Sequence, residues 1–102
     1  MAKKVFMSVP MKGYSDEDIR RRMDEIKENI RGRYKDVEFI DSMVHQDPPA
    51  GVNVPTWYLS ESIAHLAQAD LIYFGEGWKD ARGCRIEHRI AEEYGVGEII
   101  HD

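Results

Sequence analysis

The sequence predicts a three-layer α/β domain: a parallel sheet of about four strands in the order 2-1-3-4, with helices on both faces. Three observations predict it. Short apolar runs recur along the chain, amphipathic stripes at helical spacing separate them, and Pro, Asp or Gly stops most of the runs. Strands alternating with helices require right-handed crossovers, which cover both faces of the sheet. The length of 102 residues fits one domain over residues 1–102.

Each element has a local reason. Val5 to Val9 is apolar except for Ser8 and stops at Pro10, as suits a strand buried on both faces. Met11 to Tyr14 is a loop containing Gly13. Ser15, three residues ahead of Asp18, reads as a helix N-cap with an acidic first turn. Ile19, Met23, Ile26 and Ile30 follow at spacings of four, three and four, one stripe of an amphipathic helix that Gly32 ends. Val37 to Ile40 reads as the second strand. Asp41 to Val54 holds Pro48, Pro49, Gly51 and Asn53 and is a long loop, of the kind that often carries function. Pro55 opens a second helix with Leu59, Ile63 and Leu66 as its stripe and Trp57 and Tyr58 in its first turn. Leu71 to Phe74 is the third strand, ended by Gly75. Asp80 then reads as the N-cap of a third helix whose stripe is Ile86, Ile90 and Tyr94 and whose end is Gly95. Val96 to Ile100 is the last strand.

Composition narrows the function. A formal net charge of −5 argues against a nucleic-acid polymer as partner. Arg20, Arg21 and Arg22 are adjacent on a helix, point in different directions, and read as a solvated face. The one cysteine, Cys84, cannot form an internal disulfide, and the apolar run near the N-terminus is too short for a signal peptide or membrane helix. A cytoplasmic protein without a membrane partner is the expectation. His45, His65, His88 and His101 show no metal-ligand spacing, so neither a metal nor another cofactor is expected.

In a sheet of this order, ligands bind beyond the carboxyl ends of strands 1 and 3, where the winding reverses. Three segments converge there: Pro10 to Tyr14, Asp41 to Asn53, and Gly75 to Gly83. The third helix begins at the same edge and brings Arg82, Gly83 and, one turn in, Glu87. Glu87 follows Ile86, so it lies beside the predicted buried stripe, with the small Ala91 four residues on. A carboxylate near a helix start is favoured by ~0.3–1 kcal/mol and stays ionised, as a nucleophile requires. The plainer reading pairs Glu87 with Arg89 or Lys79 at the surface. Lys12 with Gly13, and Arg82 with Gly83, suit a phosphate, or are two ordinary turns. Trp78 could stack on a base, and Trp57 and Tyr58 could cover a pocket. The alternative places all three aromatics in the core or a subunit interface.

Three pieces of the sequence resemble the nucleoside 2-deoxyribosyltransferase-like superfamily. They are Val5-Phe6-Met7-Ser8-Val9-Pro10-Met11-Lys12-Gly13, Ala69-Asp70-Leu71-Ile72-Tyr73-Phe74, and Gly77-Trp78-Lys79-Asp80-Ala81-Arg82-Gly83-Cys84-Arg85-Ile86-Glu87-His88-Arg89-Ile90-Ala91. The likeness covers nearly the whole chain. It is closest to a small bacterial and phage-borne family of unassigned function within that superfamily. It implies a flavodoxin-like or Rossmann-like domain acting on a nucleoside or nucleotide. Gly83, Glu87 and Ala91 match the frame in which the enzymes carry a nucleophilic glutamate. The resemblance thus implies that Glu87 attacks the anomeric carbon, forming a glycosyl-enzyme that another base or water resolves, with Asp80 beside the leaving base. It implies a substrate-binding set of Ser8, Pro10, Met11, Lys12, Gly13, Trp78, Arg82 and Gly83, in which Lys12, Gly13 and Arg82 hold a 5′-phosphate and Trp78 stacks on the base. It also implies a homo-oligomer, with the 41–54 loop and the second helix at the interface. The sequence departs from the enzymes' pattern at Phe6, where they commonly carry a tyrosine, and at Val9, Cys84 and Arg89. A non-catalytic nucleotide-binding protein, sequestering or sensing, is the alternative with the same pocket.

Overall fold

A computed structural model describes residues 2–41, 44 and 46–101 of the chain. Part of the 41–54 loop, His45 included, lies outside the described residues. The order is β1 (Lys3–Ser8), α1 (Asp16–Arg33), β2 (Val37–Phe39), α2 (Val54–Leu66), β3 (Leu71–Phe74), a 3-10 turn (Trp78–Asp80), α3 (Arg82–Tyr94) and β4 (Glu98–His101). The four strands are all parallel in the order β2-β1-β3-β4, as the sequence predicts. Val5 pairs with Phe39 on one side and Leu71 on the other, and Ser8 pairs with Phe74.

The period-two alternation of the strands splits the core in two. Val5, Met7, Leu71, Tyr73 and Ile100 face Ile26 and Ile30 of α1. Phe6, Ile72 and Phe74 face the other way, against Leu66 of α2 and Ala91 of α3. One helix therefore covers one face and two cover the other. Ser8 has the parity of Phe6, so it belongs to the α2–α3 side.

The helix starts follow their caps. The Ser15 hydroxyl accepts from the Asp18 backbone N–H at 3.1 Å, and Asp16, Glu17 and Asp18 make the first turn of α1 acidic. The helix runs through Gly32 to Arg33 and is capped by the Tyr34 N–H on the Ile30 carbonyl, so Gly32 does not end it. Asn53 caps α2 by accepting from the Thr56 N–H and hydroxyl.

Helix α3 departs from expectation in two ways. Asp80 is not its cap: Asp80 closes the 3-10 turn, and Ala81 occupies the cap position without a side-chain bond. Its buried stripe is Cys84, Glu87, His88 and Ala91, whereas Ile86 is 37% and Tyr94 80% exposed. Positions 84, 87, 88 and 91 have helical spacing as good as 86, 90 and 94. Ile90, the third member of the predicted stripe, is half-buried and packs on the second core, while Glu87 and His88 are held on the buried stripe by polar partners. At the opposite end of the sheet, Asp70 ties the strands together. Its carboxylate accepts from the Lys4 N–H, and its carbonyl accepts from the Glu98 N–H. No helix of the described residues is long and apolar enough to cross a membrane.

Candidate active site

At the carboxyl edge of β1 and β3, on the α2–α3 side, an open cleft of about 860 Å³ lies between the β1 loop, α2 and the start of α3. Glu87 is at its floor and only 6% exposed. One carboxylate oxygen, Oε1, accepts from the Ser8 hydroxyl at 2.8 Å, and the other, Oε2, accepts from the Ser62 hydroxyl at 2.5 Å. The surface pairing with Arg89 or Lys79 is thereby corrected: the partners are neutral hydroxyls from β1 and α2. Burial pushes the carboxyl pKa above its ordinary value, and the two serines pull it back toward ionisation.

Cys84 lies one turn earlier on the same face of α3 and also lines the cleft. Its thiol pKa is raised, first by burial and further by the Glu87 charge, against the lowering effect of the Ser8 hydroxyl. Serine, carboxylate and thiol form a compact buried polar group. Among the described residues, no buried side-chain nitrogen or oxygen lacks a hydrogen-bond partner.

Most of the residues expected from the sequence meet at this cleft. Ser8, Pro10, Met11, Lys12, Asp80, Arg82 and Gly83 all line it. Gly13, at φ +89°, makes the turn that carries Lys12 and Tyr14 to the wall, and the Tyr14 N–H closes it onto the Met11 carbonyl. Lys12, Arg82 and Arg85 are exposed cations at the rim, and Glu76 and Asp80 are exposed acids there. The Arg85 guanidinium donates to the Lys79 carbonyl at 3.0 Å, which fixes the turn against α3.

Trp78 is placed differently. Its ring stacks on His88 at 4.0 Å and 10°, and packs against Phe74 at 5.4 Å. It lines a neighbouring hollow of about 550 Å³ with His101, Lys79 and Asp80, not the Glu87 cleft. One face of the Trp78 ring is therefore taken by an imidazole. The aromatics that do line the cleft are Phe6, Tyr14 and Tyr58. Trp57 supports Tyr58 edge-on at 5.1 Å.

Two contributions lay outside the sequence reading. Ser62 carried no signal, being one of two serines on a helix read only for its apolar stripe. Arg22 is not part of a solvated face: it is half-buried, donates to the Glu76 carbonyl and lies 5.5 Å over the Tyr14 ring. A further hollow of about 690 Å³, on the α1 side, holds Arg22 but no buried carboxylate or thiol.

A family model described as a domain of unknown function matches residues 3–100. The chain belongs to the DUF4406 family. The crystal structure of a conserved protein from Enterococcus faecalis V583 is similar to this DUF4406 chain, with a TM-score of 0.68 at 16% identity. The alignment covers 99% of this chain and 63% of that one, so the DUF4406 domain spans under two thirds of that protein. At that identity the likeness speaks to fold alone. No curated protein matches.

Proposed function

We propose that this DUF4406 protein cleaves or transfers at the N-glycosidic bond of a nucleoside or nucleotide, with Glu87 as nucleophile. One observation carries the reading: a single carboxylate, almost fully buried, lies at the floor of the cleft where such a sheet binds ligands, with a hydroxyl on each oxygen and, among the described residues, no cation paired to it. A structural carboxylate has no need of a cleft, and a surface carboxylate has no need of burial.

In the proposed reaction a Glu87 oxygen bonds to the anomeric carbon as the carbon–nitrogen bond breaks. The electron pair leaves with the base, which takes a proton from Asp80 at the rim. Water or a second base then displaces the carboxylate, the attacking group giving its proton back to Asp80, and both carboxyl groups are regenerated. Lys12 and Arg82, with the backbone at Gly13 and Gly83, suit a 5′-phosphate. With Trp78 stacked on His88, the aromatic wall offered to the base is Tyr58 or Tyr14. The same reading places the protein in the cytoplasm as a homo-oligomer. Val52, Val54 and Tyr58 are 39–45% exposed beside the cleft and suit a subunit contact.

The test is incubation with a panel of nucleosides and 5′-mononucleotides, reading free base by mass spectrometry. Wild-type protein releases base and Glu87→Ala does not. Release that persists in Glu87→Ala removes the residue from the mechanism. A second reading, nucleotide binding without chemistry, is favoured by Phe6, whose buried ring brings no hydroxyl to the carboxylate. It requires tight binding with the ligand recovered intact.

A further inference from the structure

We propose that Ser62 is a positioning residue for Glu87: with Ser8 it clamps the carboxylate between α2 and the sheet, fixing one rotamer. The inference rests on the glycosidic-bond reading for its catalytic meaning, and on the geometry alone for the clamp.

The two anchors are of different origin and both are rigid. Ser8 ends β1, a central strand paired on both sides, and is 2% exposed. Ser62 is held by α2, whose start is capped by Asn53 and whose last residue, Leu66, is fully buried. Pro55, Tyr58, Leu59 and Ser62 share one stripe of that helix and line the cleft from mouth to floor. Continuing the stripe by four residues gives Leu66, inside the core.

The terminal torsion of a glutamate is broad and roughly two-fold, so a single hydrogen bond leaves the carboxylate free to swing. One hydroxyl on each oxygen removes that freedom. Each carboxylate oxygen has two lone-pair directions and each serine uses one, so both oxygens retain one for an incoming carbon. A hydroxyl donating to the ionised form also opposes the desolvation of a buried carboxylate. Among the described residues, Ser62 and Ser8 therefore supply what no paired cation supplies. They do so without neutralising the nucleophile, as an ion pair would.

The experiment compares wild type, Ser62→Ala and Ser62→Thr in two ways. The first is a pH profile of base release. The second is a carbon-detected NMR titration of the Glu87 carboxyl, which needs no turnover. In Ser62→Ala the acid limb of the profile moves to higher pH. Activity falls about tenfold below the limb, the scale of one lost hydrogen bond to a charged group, and the deficit shrinks toward alkaline pH. The Glu87 titration moves up with it. Ser62→Thr, which keeps the hydroxyl, returns both toward wild type. A Glu87 titration identical in wild type and in folded Ser62→Ala overturns the clamp. Absence of base release in wild type overturns the enzymatic reading instead, and the titration still decides the clamp. A uniform loss of activity at every pH, unrescued by threonine, marks Ser62 as merely structural and also overturns the proposal.

Discussion

Replacing Glu87 with glutamine should make the protein more stable, and only on one side of the pH scale. The carboxyl is raised above its ordinary value of 4.5, with burial as the first cause and the Ser62 and Ser8 bonds opposing it. A raised folded-state pKa means that the native state binds the proton more tightly than the unfolded chain does. The resulting stabilisation is fully present below the unfolded value and is lost as pH rises through the folded one. The wild type therefore takes on a desolvated charge as pH rises through the folded-state value, and not below the unfolded one. Glutamine keeps the shape, accepts from one serine and donates to the other, and never ionises. The serine bonds recover most of the desolvation, so the net relief is about 1 kcal/mol, the size of one such bond. A domain of 102 residues has an unfolding entropy of about 0.2 kcal/mol/K, so Tm should rise about 5 °C. The assay is thermal unfolding of both proteins at pH 8 and pH 4. Glu87→Gln should melt higher at pH 8, with the difference vanishing at pH 4. Equal melting at pH 8, or a lower Tm for the variant at both, refutes the argument that burial outweighs the serine bonds.

Two other consequences are open to measurement. Burial and the Glu87 charge both hold the Cys84 thiol protonated, so its alkylation at pH 8 should be slow beside a free thiol and should accelerate in Glu87→Gln; an unchanged rate would separate the two groups. Gly97 sits at φ +144°, and a Cβ there would lie 2.8 Å from the Asp70 carbonyl oxygen, so Gly97→Ala should cost about 2–3 kcal/mol in denaturant unfolding. A loss below about 0.5 kcal/mol would mean that the junction between β3 and β4 relaxes freely.

The sheet order was legible because each strand is a short apolar run and each crossover carries a helical stripe. Neither signal depends on what the site does. The carboxyl edge was legible for the same reason, since topology alone brings the Met11, Gly77 and Arg82 segments together. Hydropathy failed where the cleft enters the fold. On α3 it chose Ile86 and Tyr94, both exposed, over Cys84, Glu87 and His88, which are buried because each finds a polar or aromatic partner. Trp78 looked free because it sits in a Gly-flanked segment, yet His88 and Phe74 take up its ring. Ser62 was invisible because a hydroxyl on a helix acquires meaning only from what faces it.

Cys84, Glu87 and His88 lie together on the inner face of α3. A domain this small has little apolar area to spare, and an apolar side chain at position 87 would enlarge the Phe6, Leu66 and Phe74 core. Replacing buried charged groups with well-packed hydrophobic ones is often neutral or stabilising. The fold instead devotes the inner face of α3 to a carboxylate and a thiol, and satisfies them with hydroxyls from β1 and α2. Local rules tend to give way at functional sites, where packing is given up for polar groups. Cys84 and Glu87 also line the cleft, which supports the proposal that the chemistry is there.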